Sequence, residues 1–123
     1  MDYRTMFADV RRRPGSYGLG GTFREVSAFV NGCDAGNSWG LLIGFREWLA
    51  LKLGCEANLT WPGLILKLAN VDASLHPSGS NLSATEEERA VEVLFAELDE
   101  FLSARKGASD ISRILEKYVR QNS

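Results

Sequence analysis

The chain is short of the residues that most reactive sites are built from. It has one histidine, two cysteines and three prolines in 123 residues. A Ser–His–Asp or Cys–His catalytic set must therefore use His76, because a general base near neutral pH has to take the nucleophile's proton. His76 sits in the polar run His76-Pro77-Ser78-Gly79-Ser80, which does not hold a base in register, and no Gly-x-Ser-x-Gly elbow occurs. Cys33 and Cys55 are too far apart for a metal-ligand or redox pair, and one histidine cannot complete a zinc site with them. They read as reduced structural thiols, with no metal or cofactor. A Gly-x-x-x-x-Gly-Lys-Ser/Thr phosphate loop is also missing, so Gly18-Leu19-Gly20-Gly21 reads as a turn.

Long apolar runs are lacking too. Residues 41–45 and 64–68 are far shorter than the roughly 20 residues needed to span a bilayer, and Lys67 interrupts the second. The opening Met1-Asp2-Tyr3-Arg4 has no charged start followed by an apolar segment, so a cytoplasmic protein without export or membrane attachment is expected. There is no strong excess of either charge: 14 basic and 16 acidic groups give −2 and a pI near 5.4. Direct binding of nucleic acid is not expected from so weak a field. The single basic cluster, Arg11-Arg12-Arg13, suits the carbonyl end of a helix.

What is present is helical patterning around enough apolar residues, 45% of the chain, for one core. Tyr3, Met6, Phe7 and Val10 form one helical face, closed by Pro14-Gly15. Thr22 with Glu25 predicts a capped helix to about Asn31, followed by a turn over residues 32–38. Trp39, Leu42, Phe45, Trp48, Leu49 and Leu53 are then available to the core before a stop at Gly54. Thr60-Trp61-Pro62 predicts the next helix start, and residues 70–83 read as a polar surface loop. Ser83 with Glu86 caps a helix expected to reach Lys106. Gly107 breaks it, Ser109 is the predicted cap of the last helix, and the two carboxy-terminal helices are expected to pack antiparallel. The expected fold is an all-α, compact single-domain bundle of about five to six helices spanning residues 1–123.

Charge is distributed unevenly along this pattern. Between residues 86 and 100 there are seven acids against Arg89, a local balance of −6. Hydrated carboxylates keep ordinary acidity and make poor general acids, but such a ridge suits a basic partner.

Two stretches resemble known families. Val10-Arg11-Arg12-Arg13-Pro14-Gly15-Ser16-Tyr17 resembles the Arg-Pro-Gly-Met-Tyr segment of DNA gyrase B-type ATPases, but no Asp-x-Gly-x-Gly turn or glycine-rich lid follows it. The succession of that segment, Phe23 to Gly32, Phe45-Arg46-Glu47-Trp48-Leu49 and Leu98-Asp99-Glu100-Phe101 is similar to small bacterial immunity proteins encoded beside polymorphic toxins, including those of contact-dependent growth inhibition. The resemblance implies a non-enzymatic protein that binds one cognate toxin domain and blocks it. Such a domain is expected to be basic, as a nuclease is. The candidate contact residues are Glu87, Glu88, Glu92, Asp99 and Glu100, with Trp39 and Trp61 as apolar anchors. The alternative is a small helical enzyme or ligand-binding module with a pocket lined by Trp39, Trp48 and Trp61.

Overall fold

The computed structural model describes residues 2–54, 59–71, 82–105 and 108–121. They form α1 (Tyr3–Arg12), a 3-10 turn (Pro14–Tyr17), α2 (Phe23–Gly36), α3 (Phe45–Leu53), α4 (Trp61–Leu68), α5 (Ala84–Ala104) and α6 (Ala108–Gln121), with no strand among the described residues. The expected all-α architecture is what the chain adopts. No helix among the described residues is long and apolar enough to cross a membrane.

Local chemistry explains most of the boundaries. The Asp2 carboxylate accepts from Thr5 N at 2.8 Å and starts α1. Both predicted capping boxes form. Thr22 accepts from Glu25 N while Glu25 reaches back to Thr22, and Ser83 and Glu86 do the same for α5. Pro62 lies in the first turn of α4, where its missing N–H leaves no partner wanting. Gly54 closes α3 at φ 67°, a left-handed conformation that glycine adopts without strain.

The core lies between α5 and the helices around it. Leu94, Leu98 and Phe101 of α5 are fully buried against Phe23 and Val30 of α2, Phe45 and Leu49 of α3, and Leu64 and Ile65 of α4. Phe45 joins two aromatic neighbours, with ring centroids 5.2 Å from Phe101 and 5.7 Å from Trp61. Helix α1 lies along α5, bringing Phe7 and Phe95 to 6.5 Å.

Four expectations are corrected. Helix α2 does not stop near Asn31 but continues through Gly32 to Gly36, because its half-buried face extends past Val30 to Cys33 and Asp34. Trp39 belongs neither to a helix nor to the core, being 65% exposed on the connection between α2 and α3. Among the described residues α6 docks mainly on α3 rather than α5. Gly44 stands at this junction, within van der Waals reach of Ile111 and Phe101, and its φ of 90° is a backbone conformation that favours glycine. Finally, α5 ends at Ala104 with Arg105 as its cap, and α6 begins at Ala108, one residue before the predicted cap position at Ser109. The loop predicted over residues 70–83 falls largely outside the described residues, as do His76 and Cys55.

Candidate functional site

The acids of α5 separate into two groups according to what the other helices bring to them. Glu87 faces inward and accepts from Phe23 N, satisfying one of the free N–H groups at the start of α2. Glu97 accepts from Trp48 Nε1 at 3.2 Å and, with Glu100, binds the Lys52 ammonium of α3. Burial alone would lower the Lys52 pKa, but the bonds to Glu100 and Glu97 prevail and raise it. These carboxylates hold α2 and α3 onto α5.

The second group faces solvent. Glu88, Glu92 and Asp99 follow at i, i+4 and i+11, so they share one exposed stripe, with Glu100 beside it. Helix α1 runs antiparallel along this stripe and supplies Arg11 to Glu92 at 3.3 Å and Arg4 to Asp99 at 2.9 Å. The two pairs span a groove of about 800 Å³ whose floor includes Phe7, Ala8, Phe95 and Ala96. Glu88 meets no basic side chain among the described residues. Arg4, Arg11 and Lys52 thus reduce the local balance from −6 to −3. The ridge that looks bare in the sequence is half compensated in space.

Arg12 and Arg13 do not join it. Both bind Asp9, Arg13 through three bonds of 2.8, 2.9 and 3.1 Å, and Tyr17 OH donates to the same carboxylate at 2.6 Å. Hydrogen bonds from Arg13 and Tyr17 hold the Asp9 pKa down to about 2. This cluster fastens the Pro14–Tyr17 turn to α1.

The three tryptophans have different surroundings. Trp61 is half-buried against Phe45 and donates Nε1 to Asn31 at 3.1 Å, committing its indole to the junction of α2 and α4. Trp48 packs on Phe101 at 6.0 Å, with the Lys52 ammonium 5.2 Å from its ring. It lines a shallow depression with Lys52, Asp99, Glu100, Ser103 and Ala104, to which neither other tryptophan contributes. Trp39 makes no ring contact among the described residues. Each of the three indoles thus has its own surroundings among the described residues.

The Trp39 connection is braced on both sides. Trp39 N donates to Asp34 O at 2.8 Å and Ser38 N to Ala35 O at 3.1 Å, the two bonds of a Schellman helix end. The Asp34 carboxylate accepts from Leu42 N at 3.0 Å, and Arg105 donates to Leu41 O. Burial lowers the Arg105 pKa, and its guanidinium lies 5.6 Å from the Phe101 ring centroid. Asn37 donates to Tyr3 OH, next to Arg4 and its Asp99 partner. The connection thus lies beside the carboxy-terminal end of α5, held to Arg105 through Leu41 O and to α1 through Tyr3. The sequence left Trp39 available both to the core and as an anchor, and the helix end that exposes it shows there only as the polar run Gly36-Asn37-Ser38.

No protein-family model matches the chain, and no curated protein or solved structure matches it significantly.

Proposed function

We propose that this chain is a non-enzymatic immunity protein of the bacterial cytoplasm, which binds one cognate toxin domain and blocks its active site or its approach to substrate. The observation that carries the reading is the exposed carboxylate stripe of α5. Glu88 to Asp99 covers roughly 16 Å at 1.5 Å per residue, about the reach of several basic side chains on a partner. The compensating pairs with Arg4 and Arg11 are themselves about half exposed. Exposed pairs contribute only about 0–1 kcal/mol, so an incoming cation can share or replace them at little expense. A toxin that acts on nucleic acid is basic for the same reason nucleic-acid enzymes generally are, and a carboxylate line meets its phosphate-binding surface. The likeness to immunity proteins noted in the sequence points the same way.

The test is co-expression with the carboxy-terminal domain of the protein encoded immediately upstream. Rescue of growth and co-purification of the two chains are expected. A chain that neither rescues nor co-purifies overturns the proposal.

A further inference from the structure

Trp39 differs from the other tryptophans in three respects that no packing role explains. It is 65% exposed, and its indole N–H meets no acceptor among the described residues, whereas Trp48 and Trp61 donate to Glu97 and Asn31. Its backbone is also left-handed, at φ 63°, directly after Ser38 at φ 55°. Two consecutive non-glycine residues in this region are unfavourable, and such strain persists only where the surroundings fix it. Here Asp34, Arg105 and the helix-end bonds do so. The result is a large apolar side chain held outward in one backbone geometry, with Ile43, 47% exposed, four residues further on.

We infer that Trp39 is the apolar anchor of the partner interface, seated in an apolar pocket of a basic protein domain that offers an oxygen acceptor to its indole N–H. This inference rests on the toxin-binding reading and specifies where that binding is strongest. Three physical points select such a partner. Tryptophan carries a disproportionate share of binding energy when it enters a desolvated pocket, and its free N–H needs an acceptor there. A pre-set backbone lowers the ordering penalty of association, which matters for a shaped pocket and little for a fluid surface. Charge decides the rest. Residues 25–45 contain Glu25 and Asp34 and no lysine or arginine, and the cations that reach the turn are engaged, Arg4 by Asp99 and Arg105 by Leu41 O. An anionic lipid surface or a nucleic acid would have to displace those bonds to find a cation here. A basic domain meets the carboxylates around the anchor.

The affinity of the wild type, Trp39→Ala and Trp39→Phe for the upstream-encoded toxin domain tests this, with thermal unfolding of each variant as the folding control. Because Trp39 is exposed, both variants should unfold close to the wild type. Trp39→Ala is expected to bind at least about 30-fold more weakly, mainly through faster dissociation. Trp39→Phe, which keeps a ring but loses the N–H, should fall between them. Binding by Trp39→Ala within about threefold of wild type, in a complex that the wild type does form, overturns this inference and leaves the toxin-binding reading standing. Failure of the wild type to bind overturns both. Trp39-dependent sedimentation with phosphatidylglycerol vesicles overturns it in favour of a membrane surface.

Discussion

Replacing Ser38 with glycine isolates the strain in the Trp39 connection from its chemistry. Ser38 occupies the left-handed position of a helix end where glycine is usual, at φ 55°, and its side chain is exposed. For an L-residue that conformation costs about 1–2 kcal/mol. Glycine removes the penalty but brings about 0.5–1 kcal/mol of extra unfolded-state entropy, so the net gain is about 0.5–1 kcal/mol. In a domain of this size that raises the unfolding midpoint by about 2–4 °C. Ser38→Ala keeps the strain and should be nearly neutral, so the difference between the two variants measures the backbone alone. Urea unfolding followed by far-ultraviolet circular dichroism supplies both free energies. If Ser38→Gly is no more stable than Ser38→Ala, the residue is not held in the left-handed region and the account of a fixed Trp39 fails. The glycine variant should also keep its partner affinity, since the bonds from Asp34 and Arg105 remain.

Other outcomes follow from the same geometry. The Asp9 pKa is lowered to about 2, against an ordinary 3.8, so the carboxylate stabilises the fold above about pH 4 and loses that contribution as the pH falls toward 2. Asp9→Asn should therefore be less stable than wild type at pH 7, with the gap narrowing across that range, and a gap that ignores pH contradicts the assignment. Glu88→Lys, at an exposed position, should change stability by less than about 0.5 kcal/mol yet slow association with a basic partner, increasingly so at low salt. A salt-independent rate would remove the electrostatic part of the proposal. Phe45→Ala, emptying a fully buried site between Phe101 and Trp61, should cost about 3–5 kcal/mol in denaturant unfolding, and a loss below about 1 kcal/mol would mean that the aromatic junction is not packed as described.

The sequence by itself determined the helices and most of their starts, because those signals act within one turn. Thr22 with Glu25 and Ser83 with Glu86 are pairs three residues apart, and the α5 face from Leu94 to Phe101 is set by its own periodicity. It was less informative where glycine, asparagine and serine can continue a helix as well as end it, which is why α2 outran its predicted stop and Trp39 stayed available both to the core and as a surface anchor. The acidity of α5 was legible only as a linear sum. Arg11 and Glu92 are 81 residues apart, Arg4 and Asp99 are 95 apart, and only packing brings them together. Tertiary structure thus decided which carboxylates hold the bundle, as Glu87 and Glu97 do, and which stay on its surface, as Glu88, Glu92 and Asp99 do. It decided the fate of the tryptophans in the same way. An indole is buried or presented according to what the rest of the chain folds over it, and nothing folds over Trp39 among the described residues.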